Sequence, residues 1–147
     1  WMFSCADVVP VTARSVESLH RVQLQFDHGA ICTHGGVILM PSKHVDEEWQ
    51  DIQEAHLKQV ADLMQQLPDI LQHCAADLGA IRTWYESQDQ LNIYAVAKQK
   101  NLDLPLFLKD LVKLLPPEIT EQFYIHTNGN NLAIIHNRQT KKNAVEY

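Results

Sequence analysis

The chain has 147 residues, of which 46% are hydrophobic and 20% charged, enough for one compact domain with its own core and too few for two large ones. Twelve basic against eighteen acidic residues leave a net charge of −6, which excludes a global positive field able to hold a nucleic-acid backbone. No apolar stretch approaches the roughly 20 residues needed to cross a bilayer, so no membrane partner is expected.

No apolar leader opens the sequence, and it begins at Trp1 rather than an initiator Met, so a fragment or processed chain is expected. Cys5, Cys32 and Cys74 are an odd number with no C-x-x-C pair, which points to a reduced, intracellular setting, cytoplasm or nucleus.

In chain order, Arg21 to Asp27 alternates Val22, Leu24 and Phe26 with glutamines, the period of a half-buried strand. After the turn Asp27-His28-Gly29, Ala30 to Thr33 and Val37 to Met40 read as two further strands, separated by the turn His34-Gly35-Gly36 and ended by Pro41. From Val45 the spacing becomes three and four: Trp49, Ile52, His56, Val60, Leu63, Leu67, Leu71, Cys74 and Leu78 form one stripe of a long helix. Asp46 is its expected N-cap, Pro68 an expected kink, and Gly79 its stop.

Ile81 to Glu86 and Leu91 to Ala97 are expected to form a hairpin, Leu104 to Leu115 a helix that Pro116-Pro117 ends, and Phe123 to Thr127 with Leu132 to Asn137 a second hairpin around Asn128-Gly129-Asn130-Asn131. A two-residue Gly129-Asn130 loop would pair residue 126 with 133 and 123 with 136. The tail from Lys141 to Tyr147 reads as loose. The order β-β-β-α-(α)-β-β-α-β-β describes an α+β fold on antiparallel sheet. The expected division is a core over 1–98, an added helix and hairpin over 99–140, and a tail over 141–147.

Three patterns in order resemble the histidine-triad (HIT) superfamily of nucleotide-binding proteins. They are Trp1-Met2-Phe3-Ser4-Cys5; the strand and Pro-x-Lys-His of His34 to Val45; and Gln90-Leu91-Asn92-Ile93-Tyr94-Ala95, which lies where the family writes His-φ-His-φ-His-φ. A second similarity, to CwfJ-type C-terminal modules of splicing and lariat-debranching factors, rests on Tyr85-Glu86 and on the hairpin Phe123 to Ile134. In the family the central histidine takes up the nucleotidyl group. Asn92 stands there, and an amide nitrogen, its lone pair delocalised, cannot do so.

The resemblance therefore implies a catalytically inactive HIT-like module, a pseudoenzyme that binds a protein, RNA or nucleotide in an RNA-processing assembly. It implies dimerisation through the long helix, no cofactor, and a ligand site of Lys43, His44, Glu86, Gln90, Asn92 and Tyr94. Gln90, Asn92 and Tyr94 would share one strand face.

Other features have plainer readings beside functional ones. His28, Cys32 and His34, with His20 and His44 near in sequence, offer ligands for a metal-dependent hydrolase, although the spacing matches no zinc module. The acidic run Asp46, Glu47, Glu48, Asp51, Glu54 complements a helix dipole. Lys98, Lys100, Lys109, Lys113, Arg138, Lys141 and Lys142 could neutralise a short RNA beside Tyr85, Tyr94 and Tyr124, or simply face water. Serine-nucleophile and glycine-rich phosphate motifs are missing. A small acidic chaperone or immunity-type partner is the remaining alternative.

Overall fold

The apolar residues flanking His34-Gly35-Gly36 fold back on one another as a short hairpin, β1 (Ala30–Cys32) against β2 (Val37–Leu39), with Ala30 opposite Leu39 and Cys32 opposite Val37. This comes from a computed structural model, which describes residues 6–22, 26–76, 81–99, 104–128 and 131–147. The chain divides into two units, Trp1–His56 with Arg138–Tyr147, and Leu57–Asn137.

In the first unit Val11 pairs with Ile31 in parallel, through Ile31 N–H to Pro10 O and Thr12 N–H to Ile31 O, each 2.8 Å. Side chains alternate across strands, so Ala30, Cys32, Val37 and Leu39 face one way. They bury Leu19 of helix α1 (Val16–His20). Ile31 and Ile38 face the other way and pack on Trp49 and Ile52 of α2 (Glu47–Lys58) and on Ala144 of α6 (Lys141–Glu146). Each helix start is capped by a side-chain oxygen: Ser15 accepts from Ser18 N–H, Asp46 from Trp49 N–H and Thr140 from Asn143 N–H.

In the second unit β3 (Ile81–Gln88), β4 (Leu91–Gln99), β5 (Phe123–Asn128) and β6 (Asn131–His136) form an antiparallel sheet in the order β3-β4-β6-β5. Helix α3 (Ala61–Ala75) packs its Met64, Leu67 and Leu71 stripe into a core shared with Ile93, Ala95, Ile134 and Phe123. Helices α4 (Leu104–Leu114) and α5 (Pro117–Gln122) connect the hairpins.

The predicted register of the last hairpin is observed, with Phe123 opposite His136 and His126 opposite Ala133, so these two histidines sit on opposite faces. Its loop, Gly129-Asn130, lies outside the described residues, as do Trp1 to Cys5, Gly79 and Lys100.

Three expectations are corrected and one, the stop at Pro116-Pro117, is observed and extended. The long helix breaks at Gln59-Val60, where Val60 leaves helical geometry (φ −119°, ψ 18°), and not at Pro68, which lies inside α3. Pro68 lacks the N–H that would bond the Met64 carbonyl, and the Tyr85 hydroxyl donates to that carbonyl instead, at 2.6 Å. The Pro116-Pro117 stop is also a start, because Pro117 fills the first turn of α5, where no N–H is needed. The stretch from Arg21 does not begin as a strand: Arg21 caps α1 and Val22 N–H bonds Leu19 O, while 23–25 lie outside the described residues. The tail from Lys141 is a helix, held by the Thr140 cap, by buried Ala144 and by the Tyr147 ring 5.0 Å from that of Trp49.

The α+β class with antiparallel sheets is observed. The histidine-triad arrangement is not, because it needs the strand at 37–40 beside the strand at 91–97. Here β2 pairs with β1, whereas β4 lies between β3 and β6 in the other sheet.

Candidate functional site

Because the 10–12 segment and β1 run parallel, their carboxyl ends open on one edge of the first unit, the place where open α/β sheets bind ligands. Three chain segments far apart in sequence meet there. The first is Thr12-Ala13-Arg14, in which Thr12 Oγ1 accepts from Arg14 N–H at 3.1 Å. The second is Thr33-His34-Gly35, joined to the first by His34 N–H to Thr12 O (3.3 Å) and Thr33 N–H to Arg14 O (2.8 Å). The third is Gln139-Thr140-Lys141: Gln139 Nε2 donates to Thr33 O at 3.1 Å, across 106 residues of sequence.

The middle segment is strained. Thr33, His34 and Gly35 take φ values of 56°, 59° and 97° in succession, a left-handed run that costs free energy at the two non-glycine residues and that characteristically clusters at functional sites. Gly35 is required for packing as well as for its φ. A Cβ there would lie 2.4 Å from Thr140 O and 2.8 Å from Lys141 N, so the loop seats directly on the start of α6. From the other side Trp49 Nε1 donates to Gly35 O at 3.0 Å. Thr33, His34 and Gln139 are buried, while Arg14 and Lys141 are exposed. The segments that meet at this edge thus carry a hydroxyl at Thr12, a guanidinium at Arg14 and an ammonium at Lys141, a donor set suited to an oxyanion.

The residues singled out from sequence are distributed otherwise. Lys43, itself left-handed at φ 66°, borders a cavity of about 150 Å³ with Leu19, Phe26 and Leu39 at the amino end of β1. His44 is exposed, its carbonyl accepting from Met40 N–H. Glu86, Gln90, Asn92 and Tyr94 belong to the second unit. There Gln90 lies in the turn with φ 71°, before β4 begins, so it does not share a strand face with Asn92 and Tyr94. Asn92 is exposed and bonded to Ser87 through Oδ1. Glu86 pairs across the strands with Tyr94 and accepts from Trp84 Nε1 at 3.0 Å. Burial, aided by Glu86 and Tyr124, pushes the Tyr94 phenol up, which keeps it neutral.

The histidine cluster does not assemble. His28 pairs with Asp7 at 3.1 Å on the surface, and Cys32 is core, its thiol pushed up to about 11 by burial. Among the described residues no three His, Cys, Asp or Glu side chains are placed to hold a metal ion. Among them, too, no helix is long and apolar enough to cross a membrane.

No family model matches the sequence, and no curated protein matches it. Solved structures do. Sucrose-phosphatase from Synechocystis, in complex with sucrose and phosphate, matches 95% of this chain and 54% of its own length, with a TM-score of 0.61 and 21% identity. The C-terminal domain of trehalose-6-phosphate phosphatase from C. albicans matches 95% of this chain and 46% of its own, with a TM-score of 0.57 and 12% identity. A trehalose-6-phosphate phosphatase related protein matches 99% and 58%, with a TM-score of 0.51 and 14% identity. The chain therefore spans about half the length of the structures it matches.

At these identities the likeness is one of fold alone, the fold shared with the phosphatase structures just described. This overturns the histidine-triad and CwfJ-type resemblance: the strings that carry it are local, and the long-range pairing they imply does not form. It equally overturns the reading as a catalytically inactive scaffold, since the matched structures are named as phosphatases. The matched structures lie nearer to the hydrolase alternative, although the histidine cluster on which it rested is not brought together among the described residues.

Proposed function

We propose that this chain is part of a phosphatase acting on a phosphorylated sugar, with the phosphoryl group held by Thr12, Arg14 and Lys141. The observation that carries the reading is a fold match over 95% of the chain to a phosphatase bound to sucrose and phosphate, together with the convergence of those three residues' segments at the carboxyl edge of β1. Phosphoryl transfer spreads charge over three equatorial oxygens, so fixed cationic and hydroxyl donors stabilise it more strongly than they do the bound ground state. Arg14 presents a planar fork that bridges two oxygens, Lys141 a point charge, and Thr12 a short hydrogen bond. In support, the strained loop at 33–35 ties together the segments that carry these groups.

The test is release of inorganic phosphate from trehalose 6-phosphate and a panel of sugar monophosphates, with calorimetry of inorganic phosphate binding in parallel. Thr12→Val and Lys141→Ala are expected to lower turnover by about a hundredfold to a thousandfold each, as loss of one oxyanion donor does, and to weaken phosphate binding. A chain that neither releases nor binds phosphate defeats the proposal.

A further inference from the structure

We propose that Gln139 is a positioning residue: its amide sets the distance between the Lys141 end of the site and the Thr12 end, and phosphate affinity depends on it. The inference rests on the phosphatase reading above. Gln139 is fully buried, and one of its two polar atoms, Nε2, donates to the Thr33 carbonyl at 3.1 Å. Thr33 opens the left-handed run whose next residue, His34, bonds the Thr12 carbonyl, and whose third, Gly35, rests on Thr140 and Lys141. One side chain therefore joins the segment bearing Lys141 to the loop that is itself tied to the segment bearing Thr12 and Arg14.

Packing alone does not explain a glutamine at this place. Its Oε1 is buried with no hydrogen-bond partner among the described residues, and an orphaned acceptor costs more than one ordinary hydrogen bond returns. Methionine, of similar length, would fill the same space without that cost. The amide donor is what methionine lacks, and its acceptor is the carbonyl at the head of the strained loop. Lys141 follows two residues later, so a shift of Gln139 displaces the backbone nitrogen that touches Gly35. Misplacement of a binding group by about 1 Å is enough to lower rates about a hundredfold.

Phosphate binding by the full chain is measured calorimetrically for the unaltered protein, Gln139→Met, Lys141→Ala and the double variant, with circular dichroism confirming the fold. The expected result is a phosphate dissociation constant raised about tenfold by Gln139→Met, and no further rise when it is added to Lys141→Ala, because the glutamine acts through the lysine's placement. Equal affinity of Gln139→Met and the unaltered chain, or strict additivity in the double variant, overturns the inference and leaves the phosphatase reading standing. If the unaltered chain binds no phosphate, both fall.

Gln139→Glu gives an independent reading should the methionine variant not fold. Its acid form can donate to the Thr33 carbonyl and its carboxylate cannot. Its phosphate affinity relative to the unaltered chain should therefore rise as pH falls, and a flat ratio overturns the inference.

Discussion

Replacing Gly35 by alanine tests the joint between the strained loop and helix α6. Gly35 has φ 97°, where an L-residue loses roughly 1–2 kcal/mol relative to glycine. The new Cβ would stand 2.4 Å from the Thr140 oxygen and 2.5 Å from its carbonyl carbon. Both are backbone atoms that no rotamer change can move aside, so the loop or the helix start must shift, at an overpacking cost of about 1–3 kcal/mol. Together these give about 2–5 kcal/mol, a large part of the stability of a domain this size.

Trp49 reports the event directly, since its indole N–H bonds the Gly35 carbonyl. Urea unfolding followed by Trp49 emission, in a background with Trp1 and Trp84 changed to Phe, should show the midpoint falling with little change in slope. Gly36, at φ −74° and ψ −18°, already has a conformation open to any L-residue, so its backbone imposes no such penalty. An unaltered midpoint for Gly35→Ala would refute the contact, and with it the account of how Lys141 is placed.

Tyr85→Phe should cost about 1 kcal/mol, because it strips the Met64 carbonyl of the hydroxyl donor that stands in for the N–H missing at Pro68. In a Pro68→Ala background, where an N–H is restored, the cost should fall by half or more, and additive effects in urea unfolding would sink the explanation. Burial pushes the Cys32 thiol up to about 11 from an ordinary 9.0, so the unfolded chain loses this proton first. The contribution to stability is complete below about pH 9 and declines as pH rises through about 11. Cys32→Ala should flatten that part of the profile of unfolding midpoint against pH, and an unchanged slope between the two proteins would count against the burial.

The second unit was largely legible from sequence because its signals are local. Alternation marked β3 and β4, and Asn128-Gly129-Asn130-Asn131 set the register that places Phe123 opposite His136 and His126 opposite Ala133. Asp46 announced the start of α2 and does cap it. Helices α1 and α6 left almost no trace, since each is short and buries a single residue, Leu19 or Ala144. The break at Val60 was hidden because the apolar stripe keeps its phase across it, Leu57, Val60 and Met64 all being buried. Pro68 drew attention as a breaker, yet Tyr85 of strand β3 supplies a donor to the Met64 carbonyl, something no window of sequence around residue 68 contains.

The candidate site was illegible for the same physical reason carried further. Thr12, Gly35 and Lys141 each have an ordinary neighbourhood in sequence, and the 10–12 segment, interrupted by Pro10, has no period to read. Their relation exists only through the parallel bridge of Val11 to Ile31 and the bond of Gln139 to Thr33. The one local signal was the pair Gly35-Gly36 directly after a buried strand. It reads as a turn, which it is, but a glycine is demanded at 35 by a backbone more than a hundred residues away. Strings such as Pro41-Ser42-Lys43-His44, by contrast, stand out as motifs while their backbone hydrogen bonds among the described residues, Met40 N–H to His44 O and Lys43 N–H to Met40 O, stay within one turn. Local distinctiveness and structural constraint are therefore separate properties of this chain.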